Sequence, residues 1–137
     1  MSDSATKPRP QYRNLSVPQI LSYRLPLAAK SSILHRVSGA LLFLCIPLVI
    51  LPLFALSVTS PESFAEMREW VANPLFKLVL LALIWGFLHH FFAGIRYLIL
   101  DLHIGNDKYS AQKSAGVVFG VSLGLTLVFG LKLFGVW

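Results

Sequence analysis

Three apolar stretches, each close to the length of a membrane crossing, constrain this chain more than any other feature. They run from Val37 to Val58, from Leu75 to Leu100 and from Ala115 to Trp137, the last broken only by Lys132. A helix needs about 20 apolar residues to cross the hydrocarbon layer. None of the stretches shows the sustained period-2 alternation of a barrel strand. The pattern predicts an all-α membrane protein with three transmembrane helices, over about 33–58, 75–101 and 114–136. Only 13% of residues are charged and the mean hydropathy is +0.68, whereas soluble domains carry about 25% charged residues. An ordinary soluble enzyme and a disordered tail are both excluded. Pro47 and Pro52 each remove a hydrogen bond inside the first stretch, which neighbouring helices or local adjustment can absorb.

The charges set the orientation. Lys7, Arg9, Arg13, Arg24, Lys30 and Arg36 precede or open the first helix, and Lys108 and Lys113 lie between the second and third. The other connection carries Arg68 among Glu62, Glu66 and Glu69, with Lys77 just inside the next helix. The positive-inside rule then makes the N-terminus and the 102–113 loop cytoplasmic. The net charge of +6 is explained by this asymmetry, so no nucleic-acid partner is expected. Residues 1–31, punctuated by Pro8, Pro10, Pro18 and Pro26, read as a cytoplasmic N-terminal extension, and 32–137 as the membrane domain. The extension does not read as a signal peptide: its apolar run starts too late and ends without a cleavage-type sequence. Cys45 is the single cysteine, which excludes a disulfide framework, a CxxC pair and a CxxCH haem attachment.

Ionisable residues inside a membrane helix are functional candidates by default. The second helix carries His89, His90 and Arg96 and ends at Asp101. His90 shares a face with Ala93, Gly94, Tyr97 and Asp101, and its two small neighbours leave a hollow in which a flat macrocycle could lie. His89 is followed on its own face by Phe92, whose bulk obstructs such an approach, so His90 is the better ligand. The alternative for His90 is a histidine hydrogen-bonded to a neighbouring helix. Zinc is disfavoured, because no Cys, Asp or Glu joins it at ligand spacing.

At the start of the first helix, Ser32, His35, Arg36 and Gly39 fall on one face. A hydroxyl, an imidazole and a guanidinium together suit carboxylates or a polar quinone head. The alternative is a basic flank touching lipid headgroups, with Ser32 as a helix cap. His90 lies 11 residues before Asp101, roughly 16 Å along a helix, whereas His35 is expected near the cytoplasmic boundary. His35 is therefore read as too shallow to face His90 across one iron, and a second axial ligand should come from another chain. Gly116, Gly120 and Gly124, in strict four-residue register, predict a helix-packing face.

Two segments carry a resemblance to a known family. Ser32-Ile33-Leu34-His35-Arg36-Val37-Ser38-Gly39, preceded by Arg9-Pro10, is similar to the S-x-x-H-R-x-S/T-G signature of the cytochrome b (b556) anchor subunits of succinate dehydrogenase. The segment from His90 to Asp101 is similar to that family's second signature, a histidine followed by Gly or Ala at four, Arg at six and Asp at eleven. Three helices, the basic extension and the length also fit. Tyr97 and Leu100 depart from the second signature, and residues between Pro10 and Lys30 follow the family loosely.

The resemblance implies a subunit of succinate:quinone oxidoreductase with no catalysis by the chain alone. In that family a flavoprotein subunit oxidises succinate, and an iron–sulfur subunit passes the electrons to ubiquinone in the membrane. Two small anchors share one non-covalent haem b. Carried over by motif, His90 would be an axial ligand of the haem iron, His35 and Arg36 would meet the haem propionates, and Ser32 and Arg36 would meet the quinone. The implied location is the bacterial inner membrane in preference to the mitochondrial one. A quinol:fumarate reductase anchor and a cofactor-free assembly subunit are the competing readings.

Overall fold

The computed structural model describes residues 16–136. Lys7, Arg9, Pro10 and Arg13 of the extension, and Trp137, lie outside the described residues. Every regular element among the described residues is helical: α1 (Val17–Ser22), α2 (Leu27–Cys45), a π-helical turn (Ile46–Ile50), α3 (Leu51–Thr59), α4 (Pro61–Ala72), α5 (Pro74–Asp101) and α6 (Lys108–Leu133). Three continuous helices are long and apolar enough to cross a membrane: Leu27–Thr59, Pro74–Asp101 and Lys108–Leu133. The expected three-helix, all-α membrane architecture is present.

The boundaries differ from expectation, and local chemistry explains why. Helix α2 starts directly after Pro26, whose carbonyl accepts from Ala29 and Lys30, so the first crossing helix begins well before the apolar run. Residues 27–31 belong to the helix and not to the extension. Helix α6 starts at Lys108 because the Asp107 carboxylate accepts from the amides of Tyr109 and Ser110 at 3.0 Å each, an N-cap. Bonds from the Ser110 hydroxyl and amide hold the Asp107 carboxyl below its usual range. The short turn into this cap uses left-handed backbone at His103 and Gly105 (φ 61° and 75°). Lys108 and Lys113 therefore sit on α6, not in a loop.

Helix α4 was not expected. It is polar, and it is nucleated by a reciprocal cap: Ser63 N–H donates to Ser60 Oγ at 3.1 Å and Ser60 N–H to Ser63 Oγ at 2.9 Å, with Pro61 at the first helical position. Asn73 then caps α5 through Leu75 and Phe76. In the first crossing helix, Pro47 lacks the amide an α-helix needs. The backbone widens by one residue there, and Leu51 N–H reaches Ile46 O, the usual form of a π-bulge.

Helices α2, α5 and α6 pack on one another, and the seams are built from small and polar side chains. The fully or nearly buried residues are Leu88, Ala93, Ala115 and Val118 with Ser31, Ser38, His89, Arg96 and Ser122, and the glycines Gly86 and Gly130. Large apolar residues such as Phe43, Leu48, Leu98 and Leu127 are exposed, as expected when lipid replaces water as the solvent and close packing replaces hydrophobic burial. On α6 the inward positions are Ala115, Val118, Ser122 and Gly130. The glycine register expected to pack is turned elsewhere. A Cβ on Gly116 would touch Leu27 at 3.7 Å, and one on Gly120 or Gly124 would meet nothing within 4 Å. That face is not a seam within this chain.

Candidate functional site

His90 stands on α5 at its seam with α2. Its Nδ1 lies 2.9 Å from the backbone oxygen of His35. A carbonyl only accepts, so Nδ1 carries the proton and Nε2 carries the lone pair. Ser38, 2% exposed, donates its hydroxyl to the same His35 oxygen at 3.0 Å and lies 3.4 Å from Nδ1. The His90 ring reaches that carbonyl because the α2 backbone approaches α5 so closely. At Gly39 an added Cβ would sit 2.7 Å from His90 Cε1, so any side chain there would displace the ring. Nε2 has no hydrogen-bond partner among the described residues and is not sealed in.

The His35 ring lies parallel to that of His90, with centroids 4.2 Å apart and planes 9° from coincidence. Two expectations are corrected. His35 is not shallower than His90, because α2 starts at Leu27 and carries His35 two turns further into the helix than the apolar onset suggested. The hollow over Ala93 and Gly94 is also filled from within the chain. Ala93 is fully buried, and a Cβ on Gly94 would meet His35 Nε2 at 3.7 Å. Small residues admit α2, not a macrocycle, at that spot. Stacked side by side, the two imidazoles cannot face one another across a metal, so a second ligand opposite His90 would still have to come from elsewhere.

His89 has a different surrounding. It is fully buried, lies between Trp85 at 5.3 Å and Phe119 at 5.1 Å, and has Nε2 3.5 Å from Ser31 O. Nothing planar of cofactor size can reach it. Ser32 is half-buried on α2, while Arg36 is exposed and touches neither His35 nor His90 through a hydrogen bond. The structure thus brings His35 and His90 together and leaves Ser32 and Arg36 beside them, on the outer side of α2.

Ser38 and Tyr97 are the residues whose roles the sequence did not disclose. Ser38 stood inside a motif, but only the approach of α5 shows which atom it serves. The Tyr97 ring packs 5.1 Å from that of His35, and its buried hydroxyl has no partner. Arg96 is absorbed structurally: its Nε donates to Ser114 Oγ at 2.9 Å and an Nη to Ala111 O at 3.2 Å, joining α5 to α6.

Residues 6–129 match the family described as succinate dehydrogenase/fumarate reductase transmembrane subunit. The chain is 35% identical over 119 residues to the succinate dehydrogenase cytochrome b556 subunit of Coxiella burnetii, covering 86% of this chain and 90% of that protein. It is 36% identical over 112 residues to the cytochrome b556 subunit of Paracoccus denitrificans, covering 81% and 85%. Identity to the cytochrome b560 subunit of Reclinomonas americana is 27% over 115 residues, covering 81% and 80%. With nearly its whole membrane domain matched, the chain belongs to the succinate dehydrogenase/fumarate reductase transmembrane subunit family.

Proposed function

We propose that this chain is a membrane-anchoring cytochrome b subunit of succinate dehydrogenase that holds haem b through His90 and contributes to a ubiquinone-reducing site. The observation that carries the reading is the protonated Nδ1 of His90 anchored on the His35 carbonyl at 2.9 Å. That bond fixes ring and tautomer and leaves Nε2 as a lone pair for a metal, the arrangement metal-ligating histidines use. Gly39 supplies the cradle that makes the bond possible. The donor set therefore fits a non-covalent haem with one ligand from this chain and one from a partner anchor.

When bound, the haem supplies one-electron transfer between the iron–sulfur subunit and the quinone. The chain's own residues bind and orient. His35, held by its stack on His90 and its contact with Tyr97, would offer an imidazole nitrogen to a propionate. The unpaired Tyr97 hydroxyl adds a donor beside it. Arg36, exposed and one turn beyond Ser32 on α2, can neutralise a propionate or donate a charge-assisted hydrogen bond to a quinone oxygen. Ser32 offers a second, uncharged donor. The basic side on which they lie is where soluble flavoprotein and iron–sulfur subunits would dock. Relatives named for succinate dehydrogenase favour succinate oxidation over fumarate reduction, and bacterial relatives favour a bacterial inner membrane.

The test is a reduced-minus-oxidised absorption spectrum of the membrane complex. A b-type spectrum in the wild type, lost in His90→Ala and retained in His89→Ala, is the expected result. A wild-type complex without a haem spectrum would leave only an assembly subunit.

A further inference from the structure

On the far side of α5 from His90, a cavity of about 370 Å³ opens between α5 and α6. Arg96, Ser110 and Ser114 supply its polar groups, with the apolar Ile99, Leu100 and Ile104 at the same end, and Phe92, Val117 and Val121 continue the apolar lining away from it. Ser110 and Ser114 lie in the first two turns of α6, so the polar end is at the basic membrane surface. Val117 and Val121 lie deeper. Ser110 to Val121 spans roughly 16 Å of helix. Arg96 is only 7% exposed. Its two hydrogen-bond partners, Ser114 Oγ and Ala111 O, are both neutral. Among the described residues no carboxylate pairs with it. Asp107, the N-cap of α6, is committed to the amides of Tyr109 and Ser110.

A buried cation without a counterion is unfavourable, and a guanidinium with five donors has some to spare after two bonds. The Lys108 and Lys113 ammoniums, on the same two turns of α6, add to the positive potential. We propose that this groove is a lipid site: the phosphate of an anionic glycerophospholipid neutralises Arg96, and one acyl chain lies along Phe92, Val117 and Val121. A neutral quinone head would leave the charge uncompensated, and an apolar partner helix would bury it further. A phospholipid supplies both an anion for Arg96 and hydrocarbon for the apolar residues that make up the rest of the lining. The site does not depend on the haem or quinone reading, since neither His90 nor His35 lines it.

The test uses the intact membrane complex, purified in mild detergent, depleted of lipid and followed by native mass spectrometry. Phosphatidylglycerol and phosphatidylcholine are titrated separately. One phosphatidylglycerol per copy of this chain should be held in preference to phosphatidylcholine. Val117→Trp, at an exposed position, fills the groove, leaves the Arg96 hydrogen bonds in place and should abolish that preference. Arg96→Gln should weaken retention about fivefold, the value of one cationic contact at a membrane surface. Because Arg96 also joins two helices, Val117→Trp is the deciding variant. Equal retention of the two lipids by the wild type overturns the proposal. So does unchanged retention in Val117→Trp, or a disulfide formed under an added thiol oxidant between Val117→Cys and a cysteine introduced into a helix of a partner subunit.

Discussion

His89 and His90 are consecutive residues of one helix, about 100° apart around its axis, and they meet opposite fates. His89 points into the three-helix seam, fully buried between Trp85 and Phe119. His90 points to the edge of the α2–α5 seam, with one nitrogen tied to a backbone carbonyl and the other without a hydrogen-bond partner among the described residues. The same imidazole is a packing element at one position and, on the proposed reading, a haem ligand at the next. The difference is made by the neighbouring helix: Gly39 and the His35 carbonyl of α2 are what convert a membrane histidine into an oriented donor.

The largest break in this comparison should come from His90→Ala, which should remove the haem spectrum from the purified complex, while assembly persists through the remaining helix contacts. A retained spectrum would reassign the ligand. Gly39→Ala attacks the same function without touching the histidine. Its Cβ would collide with Cε1, so haem content per complex should fall about 10–100-fold in affinity terms, as for loss of an outer-sphere partner of a metal ligand. Haem titration of the variant at normal affinity would show that the cradle is dispensable. His89→Ala should do the reverse. It opens a cavity in the seam, lowering stability by about 2–3 kcal/mol in thermal unfolding, with the haem absorption maxima unmoved.

A smaller effect is expected from Ser32→Ala. Loss of one hydrogen bond corresponds to about a 2–10-fold drop in quinone-linked turnover, with the rate to an artificial soluble acceptor unchanged. Equal loss of both rates would make Ser32 an assembly residue. Smallest is the pH dependence of the α6 cap. The folded carboxyl of Asp107 is held below its ordinary value, so its stabilisation is present above the unfolded pKa and is lost as pH falls through the folded one. Thermal unfolding of wild type and Asp107→Ala should differ at neutral pH and converge in acid. A gap that persists in acid would mean the cap acts through the chain turn and not the charge.

The three crossings were legible because twenty apolar residues in water have no other stable use. Their ends were not, because hydropathy marks where side chains become apolar, while caps mark where backbone becomes helical. Pro26 and Asp107 started α2 and α6 well upstream of the apolar onsets. The same displacement misjudged the depth of His35, which was measured from the wrong start. His90 was singled out from small residues at Ala93 and Gly94. These residues do make room, but for α2: one helix shows that a hollow exists and not which neighbour fills it. The glycines at 120 and 124 meet nothing among the described residues of this chain for a related reason, since a stripe records close approach without naming the approaching chain. Helix α4 does not stand out from the sequence because it is short and its apolar residues Phe64, Met67 and Val71 are interspersed with charges, although Ser60, Pro61 and Ser63 spell its start.

The widened turn at Ile46–Ile50 has a consequence for how the first crossing helix is phased. One extra residue in a single turn offsets all that follows by about 100° and about 1.5 Å relative to an unbroken α-helix. Up to Cys45 the angular setting of the helix is fixed by Ser31, Ser38 and Gly39 against α5. Beyond Ile50 no residue of Leu51–Thr59 is buried in the bundle, and side chains such as Phe54 and Val58 face outward. The two halves are thus set like two dials on one shaft with a slipped tooth between them. Removing one residue from the wide turn would swing Phe54 and Val58 to a new azimuth and leave the imidazole pair where it stands.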